Sequence, residues 1–179
     1  MAKISNTVAY PSISNLDAAD YLVITDAENN LVTKTATIAQ IQSLFGIDTL
    51  VAKVTVNTGS LLTLADTAIT LIPSPGAEKV FDIMDVMVSF EAGSQVYDFA
   101  NDVSLFAGTS PLYTINKGTL NNAASSVQKL HLNASVGSQI AVPKGVPFTL
   151  STSGSNPTQG SGTLYLNIYY RVLTVGSAF

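Results

Sequence analysis

The feature that most constrains the fold of this chain is an alternation of apolar and polar residues with a period of two. It begins at about Ile47 and is clearest in the last segment, TLYLNIYYRVLTV, from Thr163 to Val175. Successive side chains of a β-strand point to opposite faces of a sheet, so this pattern is typical of strands that are buried on one side. Residues 47–179 are therefore predicted to form β-structure.

Turn residues divide this region into eight or so predicted strands. Short strands separated by Gly-, Pro- and Asn-containing turns, over about 130 residues, predict an antiparallel β-sandwich or barrel. We expect a jelly-roll-like antiparallel β-sandwich, although an immunoglobulin-like sandwich fits the same pattern. The segments with strand character are LVAKVTV, TAITLI, KVFDIMDVMVSF, SQVYDF, DVSLFAG, LYTI, VQKLHLNA, QIAV, FTLSTSG and the last segment.

The long strands predict which residues face the core. In KVFDIMDVMVSF one face should carry Met84, Val86, Val88 and Phe90. In the last strand one face should carry Leu164, Leu166, Ile168, Tyr170 and Val172.

The other face of the last strand is also rich in large side chains. Tyr and Arg are enriched at protein interfaces. We therefore predict an oligomer interface there, with the alternative that this strand is covered by loops of its own chain. The candidate interface residues are Tyr165, Tyr169, Arg171 and Leu173.

Residues 1–46 form a different, smaller module. YLVIT and LVTKT, joined by about five polar residues, predict a β-hairpin. Thr37 followed by Gln40 has the spacing of a helix capping box, and Gly46 is a typical helix stop. The helix between them should present one apolar face, which consists of Ile38, Ile41, Leu44 and Phe45.

A hairpin and one short helix bury too little apolar surface to be stable alone. We therefore predict that another copy of the chain, or the structure to which the chain attaches, completes this module. Residues 1–46 are interpreted as a separate N-terminal module, and residues 47–179 as the sandwich domain with the oligomer interface.

Composition supports assembly. Hydrophobic residues make up 46% of the chain and charged residues 11%, whereas soluble domains carry about 25% charged residues. Membrane insertion would also explain this, but the most apolar stretch, from Val80 to Phe90, is interrupted by Asp82 and Asp85. The first fifteen residues lack the apolar segment of an export signal. We expect no membrane insertion.

Charge and cysteine content exclude other classes. The net charge is −4 and the eight Lys and Arg residues are scattered, so nucleic-acid binding is disfavoured. Cysteine is absent from the sequence, which excludes disulfides and thiolate metal sites and suits synthesis in a reducing cytoplasm.

No residue pattern predicts catalysis. His131 is the only histidine, and no G-x-S-x-G motif or phosphate-binding loop is present. The acidic residues that follow Phe81 lack the pattern of a calcium loop or a catalytic carboxylate pair; they are Asp82, Asp85, Glu91, Asp98 and Asp102. We expect no enzyme activity, and no catalytic, cofactor-binding or metal-binding residues.

The N-terminal segment DYLVITDAENNLVTKTATIAQIQSLFG resembles a module at the N-termini of phage tail fibre, tailspike and head-fibre proteins. The lead-in NTVAYPSISNLDAADY resembles the one in many phage virion proteins. The region from Leu50 to Val175, with its ending SGTLYLNIYYRVLTV, is similar to the β-rich trimeric domain of phage head fibres and decoration proteins.

This resemblance implies a structural virion protein, a homotrimeric head fibre or capsid decoration protein on the capsid surface, made in the host cytoplasm. Residues 1–46 would be its attachment module. Because apolar residues in so small a segment need a partner, the candidate anchor residues are Tyr10, Pro11, Ile13, Leu22, Ile24 and Asp26. The partners of such a protein would be other copies of itself and the major capsid protein or another virion component. The alternative is a tail-associated receptor-binding fibre protein that recognises host surface glycan. A polysaccharide-degrading enzyme is disfavoured because the chain is short and its acidic residues are dispersed.

Overall fold

The computed structural model describes residues 21–26, 32–38, 40–41, 49–133 and 142–176. The chain divides into two compact units, Met1–Asp48 and Thr49–Phe179. Among the described residues, no helix is both long enough and apolar enough to span a membrane.

The first unit contains the predicted hairpin. Strand β1 (Tyr21–Asp26) pairs with β2 (Val32–Thr37) in antiparallel register, with Tyr21 opposite Thr37. The predicted capping box is also confirmed, because the Gln40 amide donates to Thr37 Oγ1 at 3.1 Å and the Thr37 amide donates to Gln40 Oε1 at 2.9 Å. Leu44, Phe45 and Gly46 lie outside the described residues.

The described residues of the second unit form eight strands and two one-turn helices. Helix α1 (Thr58–Leu61) follows the first of these strands, and α2 (Lys117–Leu120) follows the fifth. The strands are β3 (Leu50–Val56), β4 (Ile69–Ile72), β5 (Lys79–Ala92), β6 (Val103–Ala107), β7 (Ser110–Ile115), β8 (Ser126–Leu130), β9 (Phe148–Thr152) and β10 (Gly162–Thr174).

These strands form two four-stranded antiparallel sheets. One has the order β3-β10-β5-β8 and the other the order β4-β9-β6-β7. The pairs β3 with β10, β4 with β9, β5 with β8 and β6 with β7 are nested, as in one long hairpin folded over on itself. This is the topology of a jelly roll, and it distinguishes the predicted fold from an immunoglobulin-like sandwich.

The core lies between the two sheets. Alternate residues of β10 are fully buried, with Leu164, Leu166 and Ile168 at most 1% exposed. Phe148 and Leu150 from β9 are 0% exposed and line the other side of the core. Burial of side chains of this size is worth roughly 1.5–3 kcal/mol each, which makes the two inner faces the main source of stability.

A β-bulge corrects the predicted inner face of β5. Val86, Val88 and Phe90 are buried as expected, but Met84 is 52% exposed. Tyr169 pairs with Asp85 and the next residue, Tyr170, pairs with Ile83, so Met84 is the extra residue of a bulge. A bulge shifts the alternation by one residue, and Phe81 rather than Met84 continues the core.

Two other local predictions are also wrong. The segment SQVYDF does not form a strand, although Tyr97 and Phe99 are only 2% exposed. The Asn121 side chain donates to the Phe99 carbonyl and accepts from the Phe99 amide, both at 2.9 Å. It thereby replaces the backbone hydrogen bonds that a neighbouring strand would make with Phe99. The predicted loop NKGTLNN contains helix α2, which is capped by Asn116. Residues 139–141 of the predicted strand QIAV lie outside the described residues.

Candidate interaction surface

Strand β10 lies between β3 and β5, so its outward side chains occupy the middle of one sheet face. Tyr165 is 38% exposed, and the side chains of Tyr169, Arg171 and Leu173 are partly exposed. None of the four belongs to the buried core. The structure thus places the predicted interface residues on one outward face; their role in oligomer formation remains a prediction.

We call this surface the outer face. Strand register arranges its side chains in rows across β3, β10, β5 and β8. The rows are Thr163 and Glu91; Thr55, Tyr165, Ser89 and Val127; Lys53, Asn167, Met87 and Lys129; Val51, Tyr169 and Asp85; Arg171 and Asp82; and Leu173 and Val80.

Several large apolar side chains of the outer face are open to solvent. Val127 is 68% exposed, Val51 45% and Met87 38%. With the rings of Tyr165 and Tyr169, they extend across all four strands. Single exposed apolar residues are normal, but a contiguous group on one sheet face indicates an interaction site.

Most charges of the outer face are matched within the chain. Lys129 lies 3.0 Å from Asp85, and Arg171 Nε donates to Asp82 Oδ2 at 3.1 Å. Paired charges are easier to remove from water than isolated ones. The face therefore combines apolar contact area with few unmatched ions.

Tyr165 and Glu91 form a separate polar contact. The Tyr165 hydroxyl donates to Glu91 Oε2 at 3.0 Å. This hydrogen bond, and then the negative charge of Glu91, raise the pKa of Tyr165. Beside them is an open depression of about 350 Å³, whose lining includes Ser89, Ser125 and Val127.

The opposite sheet presents a different surface. None of β4, β6, β7 and β9 contains a charged residue. Their outward positions carry hydroxyl groups around one aromatic ring, and an open depression of about 370 Å³ lies among Phe106, Thr109 and Thr149. The outward residues include Thr70, Ser104, Phe106, Thr114, Thr149 and Ser151.

One end of the sandwich is closed by hydrogen bonds between loops. We call it the loop end; it consists of residues 57–68, 93–102, 116–125 and 153–161. The Asn156 side chain accepts from the Ala65 amide at 2.7 Å, and Asn101 Nδ2 donates to the Ser153 carbonyl at 2.9 Å. These contacts give the loop end a defined shape.

The acidic residues considered for catalysis have structural partners. Asp98 accepts from the Thr158 amide at 2.8 Å, and its hydrogen bond to the Thr158 hydroxyl is the main cause of its lowered pKa. Asp102 accepts from the Lys117 amide at 2.8 Å. His131 is exposed. Among the described residues, no three His, Cys, Asp or Glu side chains form a group that could hold a metal ion.

The candidate anchor residues fall in the first unit. Leu22, Ile24 and Asp26 occupy alternate positions of β1, opposite Ala36, Lys34 and Val32 of β2. Tyr10, Pro11 and Ile13 lie outside the described residues. Whether these residues attach the chain to a particle remains a prediction.

Sequence reasoning missed most of the outer face. It selected residues of β10 but not Val51, Lys53, Met87, Glu91 or Val127, which lie on the other three strands of the same sheet. Each lies at an outward position of a segment in which apolar and polar residues alternate, so the sequence did contain a signal for its outward orientation. The sequence did not show which strands are neighbours of β10.

No protein-family model and no curated protein matches the sequence. The fold is similar to that of a chain in the solved structure titled "Cyanophage Pam1 capsid asymmetric unit". The likeness covers 69% of this chain and 84% of that chain, with 17% sequence identity and a TM-score of 0.44. A likeness of this size does not assign a function.

Proposed function

We propose that this chain is a non-enzymatic structural protein of a phage virion, a homotrimeric head fibre or capsid decoration protein attached by its N-terminal unit. The observation that carries the proposal is the outer face, where Tyr165, Met87 and Val127 stand exposed on one sheet of a single chain. A face of this kind in a chain with 11% charged residues favours burial against other copies.

The fold is compatible with this function. Jelly rolls occur in viral capsid and lectin domains, although a fold by itself does not fix a function. The narrower choice of a phage virion protein is supported by the resemblance of the first 46 residues, and of the β-rich region, to phage fibre and decoration proteins.

Attachment is assigned to the first unit because of its size. The hairpin β1–β2 and the capped turn after it offer little surface for a core of their own. Docking on the major capsid protein, or on another virion component, would supply the missing contacts. Tyr10, Pro11, Ile13, Leu22, Ile24 and Asp26 are the proposed contact residues.

Recognition of host glycan is the less favoured function. Binding sites for sugars commonly use exposed aromatic rings, and aromatic side chains are typical anchors at interfaces. At the loop end, Tyr97 and Phe99 are the aromatic residues, and both are only 2% exposed. The structural role is therefore favoured over that of a tail-associated receptor-binding fibre.

Two measurements test the proposal. Mass photometry of the purified full chain at low micromolar concentration should give three times the chain mass of 18.7 kDa. Cryo-electron microscopy of the phage particle should show density for the chain on the capsid surface. A stable monomer would contradict the trimer, and density only on the tail, or none, would contradict the head-fibre or decoration assignment.

A further inference from the structure

The outer face contains two charges of opposite sign that have no ionic partner in the described part of the chain. Among the described residues, the side-chain ammonium of Lys53 takes part in no hydrogen bond or ion pair, and the Glu91 carboxylate accepts one hydrogen bond, from the hydroxyl of Tyr165. The other ionic groups of this face are paired, as Lys129 with Asp85 and Arg171 with Asp82. Lys53 and Glu91 are therefore the two charges available to a partner.

Lys53 and Glu91 cannot reach each other within one chain. Lys53 is opposite Asn167 on one side of β10, and Glu91 is opposite Thr163 on the other side. At about 3.3 Å per residue along a strand and about 4.8 Å between strands, their Cα atoms lie roughly 16 Å apart. The midpoint between them falls at Tyr165, in the centre of the exposed apolar group.

We propose, on the basis of the trimer proposed above, that three copies turn their outer faces toward a shared axis and that Lys53 of each copy pairs with Glu91 of the next. Another copy of the chain is the partner that fits this face. Lys53 of one copy and Glu91 of another have opposite charges, and both are unpaired within the described part of their own copies. In such a ring β10 lies nearest the axis, and the edge strand β3 of one copy meets β5 of its neighbour. Each contact is heterologous, which means that it joins two different patches of the chain, as a closed ring of three copies requires.

The outer face can supply a substantial part of the area that such contacts bury. At the strand spacings above, the four strands span roughly 600 Å² of sheet, and their projecting side chains add to the accessible surface. A standard interface takes about 800 Å² from each partner. The uncharged opposite sheet offers no partner charge for Lys53, and contact between opposite faces would build an open stack instead of a closed ring.

Charge reversal of the full chain tests this pairing. Sedimentation velocity over a range of concentrations should show that Lys53→Glu and Glu91→Lys each weaken association by roughly 30-fold or more. The double variant Lys53→Glu with Glu91→Lys should restore association, because the pair re-forms with its signs exchanged. Circular dichroism should show that all variants are folded, since both side chains are exposed.

The matched control is Thr70→Glu, which places one new charge at an exposed position of the opposite sheet. Its association should equal that of the unmodified chain. Single reversals without effect, or a double variant that stays dissociated, would overturn the pairing and leave the trimer itself standing. A monomeric unmodified chain would instead overturn the trimer and this inference with it.

Discussion

At the scale of single residues, Gly160 leaves no room for a side chain beside the ring of Tyr97. A Cβ atom at Gly160 would lie 2.1 Å from the Tyr97 ring, and Gly160 has a φ of 138°. Tyr97 also donates to the Gly162 carbonyl at 3.1 Å. The loop before β10 is thus held against an aromatic side chain that belongs to the core.

We predict that Gly160→Ala lowers the free energy of unfolding by about 3 kcal/mol, through the clash with Tyr97 and the strain of a positive φ. Urea unfolding would measure the change. Gly176→Ala is the matched control, because Gly176 has a φ of 87° with no atom within 4 Å, and it should cost no more than about 1 kcal/mol. Equal effects of the two substitutions would contradict the role of the Tyr97 contact.

The buried tyrosines predict a loss of stability at alkaline pH. Burial raises the pKa of Tyr97 and of Tyr113 above the ordinary value of 10.0. The folded chain therefore keeps these protons at a pH where the unfolded chain has lost them, so the free energy of unfolding falls as pH rises above about 10. Urea unfolding from pH 8 to 11 should show this fall. In the double variant Tyr97→Phe, Tyr113→Phe the free energy of unfolding should fall less steeply with pH. An unchanged slope in that variant would contradict the role of these two tyrosines.

At the scale of elements, the bulge in β5 separates two registers with β10. On one side of Met84, Asp85 pairs with Tyr169; on the other side, Ile83 pairs with Tyr170. Removal of Met84 would leave both sets of partners in place and make the ladder continuous. Removal of Val86 would instead move Asp85 into the inward position opposite Ile168.

We therefore predict that deletion of Met84 changes the free energy of unfolding by no more than about 1 kcal/mol. Deletion of Val86, which is 0% exposed and paired, should cost about 3 kcal/mol or more because it removes a core side chain and shifts the register. Thermal unfolding of the two variants would compare them. If both deletions were equally harmful, the bulge would have a structural role of its own.

Elements with a long apolar alternation could be predicted from sequence, and others could not. β3 has the predicted bounds, and the inner residues of β10 from Leu164 to Ile168 are buried as expected. The exposure of Met84 depends on its pairing partner, which local pattern does not contain. Helices α1 and α2 have four residues each, too short to show a helical period.

The candidate site was predictable to the same extent. The outward residues of β10 follow from alternation within one strand. Lys53 and Glu91 belong to strands far apart in sequence, and only the sheet order places them on either side of Tyr165. A surface built from several strands depends on topology, which a single strand's pattern does not specify.

At the scale of the whole molecule, the two units are expected to have separate tasks. We predict that deletion of residues 1–46 leaves a chain that folds and forms trimers but does not bind phage particles, because the outer face lies in the second unit and the proposed anchor in the first. Mass photometry and co-sedimentation with particles would measure the two properties. Loss of folding would show that the first unit belongs to the core of the second, and retained particle binding would contradict the anchor.

The nested order of the strands has a consequence for synthesis. β3 is the first strand of the sandwich and pairs only with β10, the last, more than a hundred residues later. Contacts between such distant segments slow folding, because a long loop must close before they form. The sandwich therefore cannot close until β10 has left the ribosome, and until then β3 has no partner strand and its apolar side chains are at risk of aggregation.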